Sequence, residues 1–579
     1  MPCLFGIIGL LLSLTNTGCS RTQSSPSAHL WFPHAPDPLA CPGVAGGSDG
    51  RHQDGSWQRD DAADRPTWIV LSADPLKHTA NQWASYRRRQ GYQTLVFTVS
   101  DVLAGRQQTW EEFLPAFKHL LVEAIGTKHP KHRTYLMLLG DSNDVGLDPI
   151  VHPSLVPTTN WNDEYLSDLP YSDLDDDGLP DLALGRVPVE NPDQAHTVLD
   201  KVIQYETNPV VGPWRQRVLV FASAAEFGPV ADAVIEKIGQ DMLASIGYVW
   251  AVRFIHASKF SPFGLPPSLY ENTLIDSFNS GTLLAIYTGH GYLSSLEDVR
   301  WGPEDAAPIL DADGIDRIHC GRRCPVLVLA ACHTGDFGHG DSLAELLLRQ
   351  ASGPPAVVAA TDVSHPFPNA MLALGLARAM LTDRVPILGD AYKQVLQNLG
   401  HPNTPIEHRI DVLTSLLWNH KERSAILNEN RRMYVLLADP ALRLPLGPSP
   451  IRMTIRSQTN HTLSVCGATD EQGSKQVHLV LETKRGQLVH SPMPLPQDRS
   501  QRDRVAEDNW QQANDRTLWR KTVPLHGRRF TVTVPLPKVP HFSTYILRAA
   551  TFDAEGTAAG TVSIQVPVTR QPAAAAKTP

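Results

Sequence analysis

Val326-Leu327-Val328-Leu329-Ala330-Ala331-Cys332-His333-Thr334-Gly335-Asp336-Phe337 passes in one step from an unbroken apolar run to a polar, glycine-containing turn. Six apolar residues without alternation suit a strand buried on both faces, and such strands belong to parallel sheets covered by helices on each side. Cys332 stands where that strand ends. The loops at the carboxyl ends of parallel strands border an open crevice, and chemically active residues gather there. Forty-two residues earlier the pattern recurs, with Leu283-Leu284-Ala285-Ile286-Tyr287-Thr288 followed by Gly289-His290-Gly291.

Outward from these two strands the same beat continues. Strand-like apolar runs lie at 67–71, 94–99, 135–139, 217–222 and 356–360. Between them, helical periodicity covers 76–90, 109–125, 195–206, 230–246, 343–350 and 370–380. Strands alternating with helices predict an α/β fold with a mainly parallel sheet covered by helices. We divide it into two subdomains, 66–210 and 211–445. After Leu444 the runs give way to alternation, as in Gln476-Val477-His478-Leu479-Val480-Leu481 and Phe530-Thr531-Val532-Thr533-Val534. That pattern predicts a small β-sandwich over 446–570. Within it, the polar stretch 491–520 reads as a loop insertion, and 571–579 as a tail.

At 579 residues the chain is too long for one core. Its 42% apolar and 19% charged residues are ordinary for a folded protein. A net charge of -9 without a basic stripe argues against nucleic-acid binding. The apolar run from Leu4 to Leu14 is too short to span a bilayer but suits a signal peptide over 1–19. The small residues before Cys19 resemble a bacterial lipoprotein cleavage site, which makes Cys19 the candidate lipidation residue. Residues 20–65 read as a tether, rich in Ser, Pro, Gly and Asp. The expectation is an exported protein, in the bacterial cell envelope or outside it, with no membrane contact beyond an N-terminal lipid. Of seven cysteines, none forms a Cys-x-x-Cys pair, which disfavours a structural zinc site. Cys320 and Cys324 fit either a local disulfide or two separate thiols, and Cys332 remains a candidate free thiol.

The chemistry explains why a His and a Cys should share one crevice. A thiolate attacks a carbonyl far better than a thiol, and a nearby imidazolium favours the thiolate. The imidazole later protonates the leaving amine. The backbone N–H groups of Gly291 and Cys332 are placed to stabilise the developing oxyanion. A lone cysteine after a strand is more often a core residue than a nucleophile. The order His then Cys, on successive strands, outweighs that base rate, and caspases space the two similarly, at roughly 50 residues.

The segments "YTGHG" and "AACHTGDF" resemble the His and Cys motifs of the gingipain family, the C25 group of cysteine peptidases. "YLMLLGDSNDV", "LSDLPYSDLDDDGLPDLALGRVPVENPDQAHTVLDKVIQYE", "ASAAEFGP" and "YVLLADPALRL" resemble further family segments in the same order, with Ala438 where Gly is usual. The resemblance runs over about 67–445. It implies a caspase-like catalytic region followed by an Ig-like domain. It also implies a secreted or surface-anchored cysteine endopeptidase that cleaves proteins or peptides through a thioacyl-enzyme. By that resemblance His290 is the general acid/base, Cys332 the nucleophile and Glu226 the carboxylate that orients the His. Arg specificity is not implied, because the family's specificity Asp has no clear equivalent, although Asp232 and Glu236 stand near. By position alone, His365 and Phe367 line the first substrate pocket. We expect a monomer that needs no cofactor for its chemistry. Two alternatives share the scaffold: a transpeptidase using the same thiol, and a surface lipoprotein that only binds.

Asp173-x-Asp175-x-Asp177-Gly178-x-x-Asp181 has the alternating carboxylates and the turn glycine of the front half of a calcium loop. The twelfth residue is Leu184 rather than Glu. The segment therefore reads either as a structural calcium site completed by remote ligands or as an acidic surface turn.

Overall fold

Ten strands with apolar interiors join edge to edge in one sheet that helices cover on both faces. The computed structural model describes residues 65–566 apart from 104–109, 131, 143–150, 158–163, 209, 225–245, 446–447, 460, 471–473, 538–541 and 553–556. The signal segment with Cys19, the tether up to residue 64, Glu226, the helix expected at 230–246 (except for its last residue) with Asp232 and Glu236, and the 571–579 tail all lie outside these residues.

Across the sheet the strands are Gln93–Thr98, Thr67–Ser72, Thr134–Leu139, Ala183–Val187, Tyr434–Leu437, Ala356–Ala360, Val326–Ala330, Leu284–Thr288, Arg217–Ala222 and Ala251–His256. Every neighbouring pair is parallel except the central one, where 434–437 runs against 356–360. The sheet is thus two parallel halves of opposite direction, and the α/β, mainly parallel class read from the sequence is what forms. In the second half the chain goes outward from 217–222 to 251–256. It then crosses back to 284–288 on the other side and continues to 326–330 and 356–360. Where strand order reverses, the loops diverge and leave a crevice at the carboxyl ends. That reversal lies between 217–222 and 284–288.

Buried charges tie the first half together. Arg87 lies between Glu206 and Asp439, and the Trp68 and Trp83 indoles also donate to Asp439. Arg186 pairs with Asp168 through two bonds of 2.7 Å and stacks on Phe337, five residues past Cys332. A buried charge without such partners is strongly destabilising.

The β-rich region after 448 has seven strands around its own core, including Ile451, Val465, Leu479, Val532, Leu547 and Ile564. The strand Pro448–Gln458 is shared. Its first residues pair in parallel with Thr557–Gln565, and its remainder pairs antiparallel with Thr462–Thr469. One expectation is corrected here. The stretch 491–520 is not a loop: it holds the helix Arg499–Asn514, capped by the Asp498 carboxylate on the Gln501 N–H. Its sequence is polar almost all round, so the periodicity shrinks to a narrow stripe of Ala506, Trp510 and Ala513. That stripe packs into the core of the α/β region. Trp510 Nε1 donates to the Phe254 carbonyl at 2.9 Å, and the Asn514 amide bonds both the N–H and the C=O of Phe254, at 2.8 and 2.9 Å. The helix thereby covers the edge strand 251–256, whose free backbone groups would otherwise invite another chain.

Candidate active site

Strand register brings His290 and Cys332 to one level. Thr288 stands opposite Ala330, so each residue follows two positions after a paired one. On the far side Thr288 also pairs with Ala222, and the next residue, Ser223, donates its N–H to the Thr288 carbonyl at 3.1 Å. The His290 side chain is exposed and Cys332 half-buried, so both open to solvent at the switch point.

The turn that carries Cys332 is stitched to its neighbours. His333 adopts a left-handed conformation, with φ of 55°, and its N–H donates to the Asp362 carbonyl at 3.1 Å. Gly335 N–H bonds Ala360 O at 2.8 Å, and Ala344 N–H bonds Thr334 O at 3.0 Å. A left-handed non-glycine residue costs about 1–2 kcal/mol and persists only where surrounding bonds over-determine it. The His290 turn is pinned by the Tyr287 hydroxyl, which donates to the His290 carbonyl at 2.8 Å. Gly291 presses on the cysteine turn: a Cβ there would lie 2.7 Å from Cys332 O and 2.9 Å from Ala331 Cβ. Only glycine allows that approach. Neither the Gly291 nor the Cys332 backbone N–H donates a hydrogen bond to any of the described residues. Each of the two adjoining turns thus carries one unspent backbone donor.

The loop after 356–360 closes the other side. Cys332 Sγ lies 3.6 Å from the Ser364 carbonyl oxygen and 3.8 Å from Ser364 Oγ. Nothing in the sequence distinguishes Ser364 from any loop serine, and only the fold brings it to the sulfur. His365 is half-buried against the edge of Trp418, and burial pushes its imidazole below the usual range. Phe367 is only 5% exposed and belongs to the core, so it presents almost no surface to a substrate. Val363 is the loop's exposed apolar residue, and Tyr292, next to Gly291, is exposed as well. His333 faces Asp362 at 3.6 Å. Glu226 lies outside the described residues.

Of the acidic segment, Asp173, Asp175 and Asp177 bring carboxylate oxygens within 4.8 Å of one another, a fit for a small oxygen-binding cation. Asp181 is not in that group. Its carboxylate accepts from the Leu174 N–H at 2.8 Å and faces His129 at 3.1 Å. Backbone N–H groups of Asp177 and Gly178 occupy part of Asp173. A second carboxylate group, Asp141, Glu190 and Asp341, already holds the Arg349 guanidinium.

The family model described as peptidase family C25 matches residues 61–445. Gingipain R2 of Porphyromonas gingivalis (strain ATCC BAA-308 / W83) is 23% identical over 308 residues, which is 51% of this chain and 36% of that protein. Gingipain R1 of Porphyromonas gingivalis is 23% identical over the same length, 27% of its own chain. This chain therefore aligns with only about a quarter to a third of the length of these relatives. Among solved structures, the Arg-specific cysteine proteinase gingipain R is similar at a TM-score of 0.49 and 16% identity, over 88% of this chain and 99% of that one.

Proposed function

This chain belongs to peptidase family C25, and on that premise we propose that it is an exported cysteine endopeptidase acting on proteins or peptides with Cys332 as nucleophile and His290 as general acid/base. The observation that carries the reading is the shared level of His290 and Cys332 at a solvent-open switch point, with the Gly291 and Cys332 N–H groups unspent beside the sulfur. His290 takes the Cys332 proton, and the thiolate attacks the scissile carbonyl carbon. The C–S bond forms as the carbonyl π electrons move to oxygen, where the two N–H groups receive the charge. Collapse breaks the C–N bond, and the imidazolium returns its proton to the departing amine. Water, deprotonated by His290, then releases the acyl group from sulfur. No step needs a metal, and the Asp173–Asp175–Asp177 group, which we propose as a structural calcium site, shares no residue with the crevice.

Two further observations support parts of this reading. Cys320 and Cys324 are joined as a disulfide, which suits an oxidising compartment outside the cytosol. The strand 217–222, which ends four residues before Glu226 in the sequence, pairs with 284–288, the strand that leads to His290, and this suits Glu226 as the His-orienting carboxylate.

The test is digestion of a peptide library by the purified chain, with Cys332→Ala and His290→Ala alongside. Cleavage by the parent and at least about a thousandfold loss in both variants is expected. Cleavage that survives Cys332→Ala would falsify the assignment. Absence of cleavage and of thiol labelling in the parent favours a binding scaffold instead.

A further inference from the structure

Behind the Cys332 sulfur, four polar side chains from four elements form one hydrogen-bonded chain. Ser364 leaves the 356–360 strand, Asn369 lies on the helix Pro366–Leu381, Asn430 on the helix His420–Met433, and Tyr434 opens the strand 434–437. Each is at most 7% exposed. One fixed point sets every donor and acceptor. The His365 backbone N–H can only donate, and it meets Asn430 Oδ1 at 3.1 Å. Asn430 therefore turns its Nδ2 to Asn369, 3.1 Å from Oδ1. Asn369 Oδ1 also accepts from the Tyr434 hydroxyl at 2.9 Å. The Asn369 Nδ2 then faces Ser364 Oγ at 2.8 Å and donates to it. The serine oxygen is an acceptor in that bond, so its own proton is left to give.

We propose that this chain of amides aims the Ser364 O–H at Cys332 Sγ and so stabilises the thiolate, with Asn369, Asn430 and Tyr434 as positioning residues that act through Ser364. The proposal rests on the peptidase reading and deepens it. The sulfur meets two different groups of one residue. As a thiol, its S–H donates to the Ser364 carbonyl, 3.6 Å away. Once the proton has passed to His290 the sulfur can only accept, and the Ser364 hydroxyl at 3.8 Å is the donor within reach. The Tyr434 oxygen also borders that hydroxyl. Burial keeps the phenol neutral, and a charged sulfur is the stronger acceptor. The titratable groups on the segments next to the sulfur are His290 after the strand 284–288, the His333–Asp362 pair, His365 and Tyr434. None of these supplies a hydroxyl proton to a thiolate except Tyr434, whose proton already goes to Asn369. Apolar side chains of equal volume would stabilise this corner as well. The polarity of the chain therefore serves the atom at its end.

The test is alkylation of Cys332 by iodoacetamide in the full chain, followed by mass spectrometry between about pH 5 and 9. The variants are Ser364→Ala, Ser364→Thr and Asn369→Leu, each checked for a native melting curve. Ser364→Ala should react about tenfold more slowly near neutral pH, the size of one hydrogen bond to a charged acceptor. In alkaline buffer, where the thiol ionises unaided, it should match the parent. Ser364→Thr restores the hydroxyl and the parental profile. Asn369→Leu keeps Ser364 but frees its orientation, so it should slow labelling by a smaller factor. Profiles of Ser364→Ala and parent that superimpose overturn the proposal while leaving the peptidase reading intact. A parent whose Cys332 is inert at neutral pH overturns both.

Discussion

At the scale of single residues, the site depends on how closely two turns approach. Gly291 has a Cβ position 2.6 Å from Thr334 Cγ2 and 2.7 Å from Cys332 O, so Gly291→Ala must push the histidine turn away from the cysteine turn by a few tenths of an ångström. Misplacement on that scale lowers turnover by roughly tenfold or more, whereas overpacking costs about 1–3 kcal/mol of stability. A melting curve shifted by a few degrees together with a loss in kcat is the expected pair of results. Unchanged kcat would mean that the turns need not touch. The place of His290 and Cys332 at the carboxyl ends of neighbouring strands was legible in the sequence, because each stands two residues past an apolar strand. Ser364, Asn369, Asn430 and Tyr434 were not. They come from positions up to 70 residues apart, and nothing in a loop serine or a helical asparagine announces the neighbour it will meet.

At the scale of elements, the edge strand 251–256 ends in a histidine whose protonation the fold opposes. Burial holds His256 down at about 4, and its Nδ1 accepts the Ser258 N–H at 2.9 Å, a bond only the neutral ring can make. In the unfolded chain the same imidazole titrates near its ordinary value of about 6.5. The folded value is therefore the lower one. Above about pH 6.5 both states are neutral and the contribution is complete. As pH falls toward 4 the unfolded chain takes up a proton that the folded chain refuses, and stability drops by up to about 3 kcal/mol. Urea denaturation at pH 7 and pH 4.5 should show a larger loss for the parent than for His256→Gln. Parallel losses would show that this ring does not titrate in the window. Most elements matched the sequence to within a few residues, since 218–222 and 356–360 are unbroken apolar runs. The helix 499–514 escaped because three small or aromatic residues on a charged surface look like chance until the strand they cover is known.

For the molecule as a whole, that helix decides whether the β-rich region and the α/β region move together. Besides Trp510 and Asn514, Arg499 and Arg502 pair with Asp305 at 2.7 Å, and the Arg485 guanidinium donates to the Trp250 carbonyl at 2.7 Å. Trp510→Ala should cost about 3–5 kcal/mol of the coupling between the two regions. Calorimetry should then show one broad transition separating into two, and a single transition of unchanged width would argue that other contacts suffice. The sequence by itself determined the α/β class, the place where one parallel strand delivers an imidazole and its neighbour a sulfur, and the switch to alternating strands after 444. These are properties of short runs, in which burial on one face or two is written in the order of apolar residues. Tertiary structure alone decided that the sheet is two parallel halves of opposite direction, that 499–514 seals its edge, and that a serine and two amides stand behind the Cys332 sulfur. Each of those depends on which distant segments meet, and pairing over long separations leaves no periodic trace along the chain.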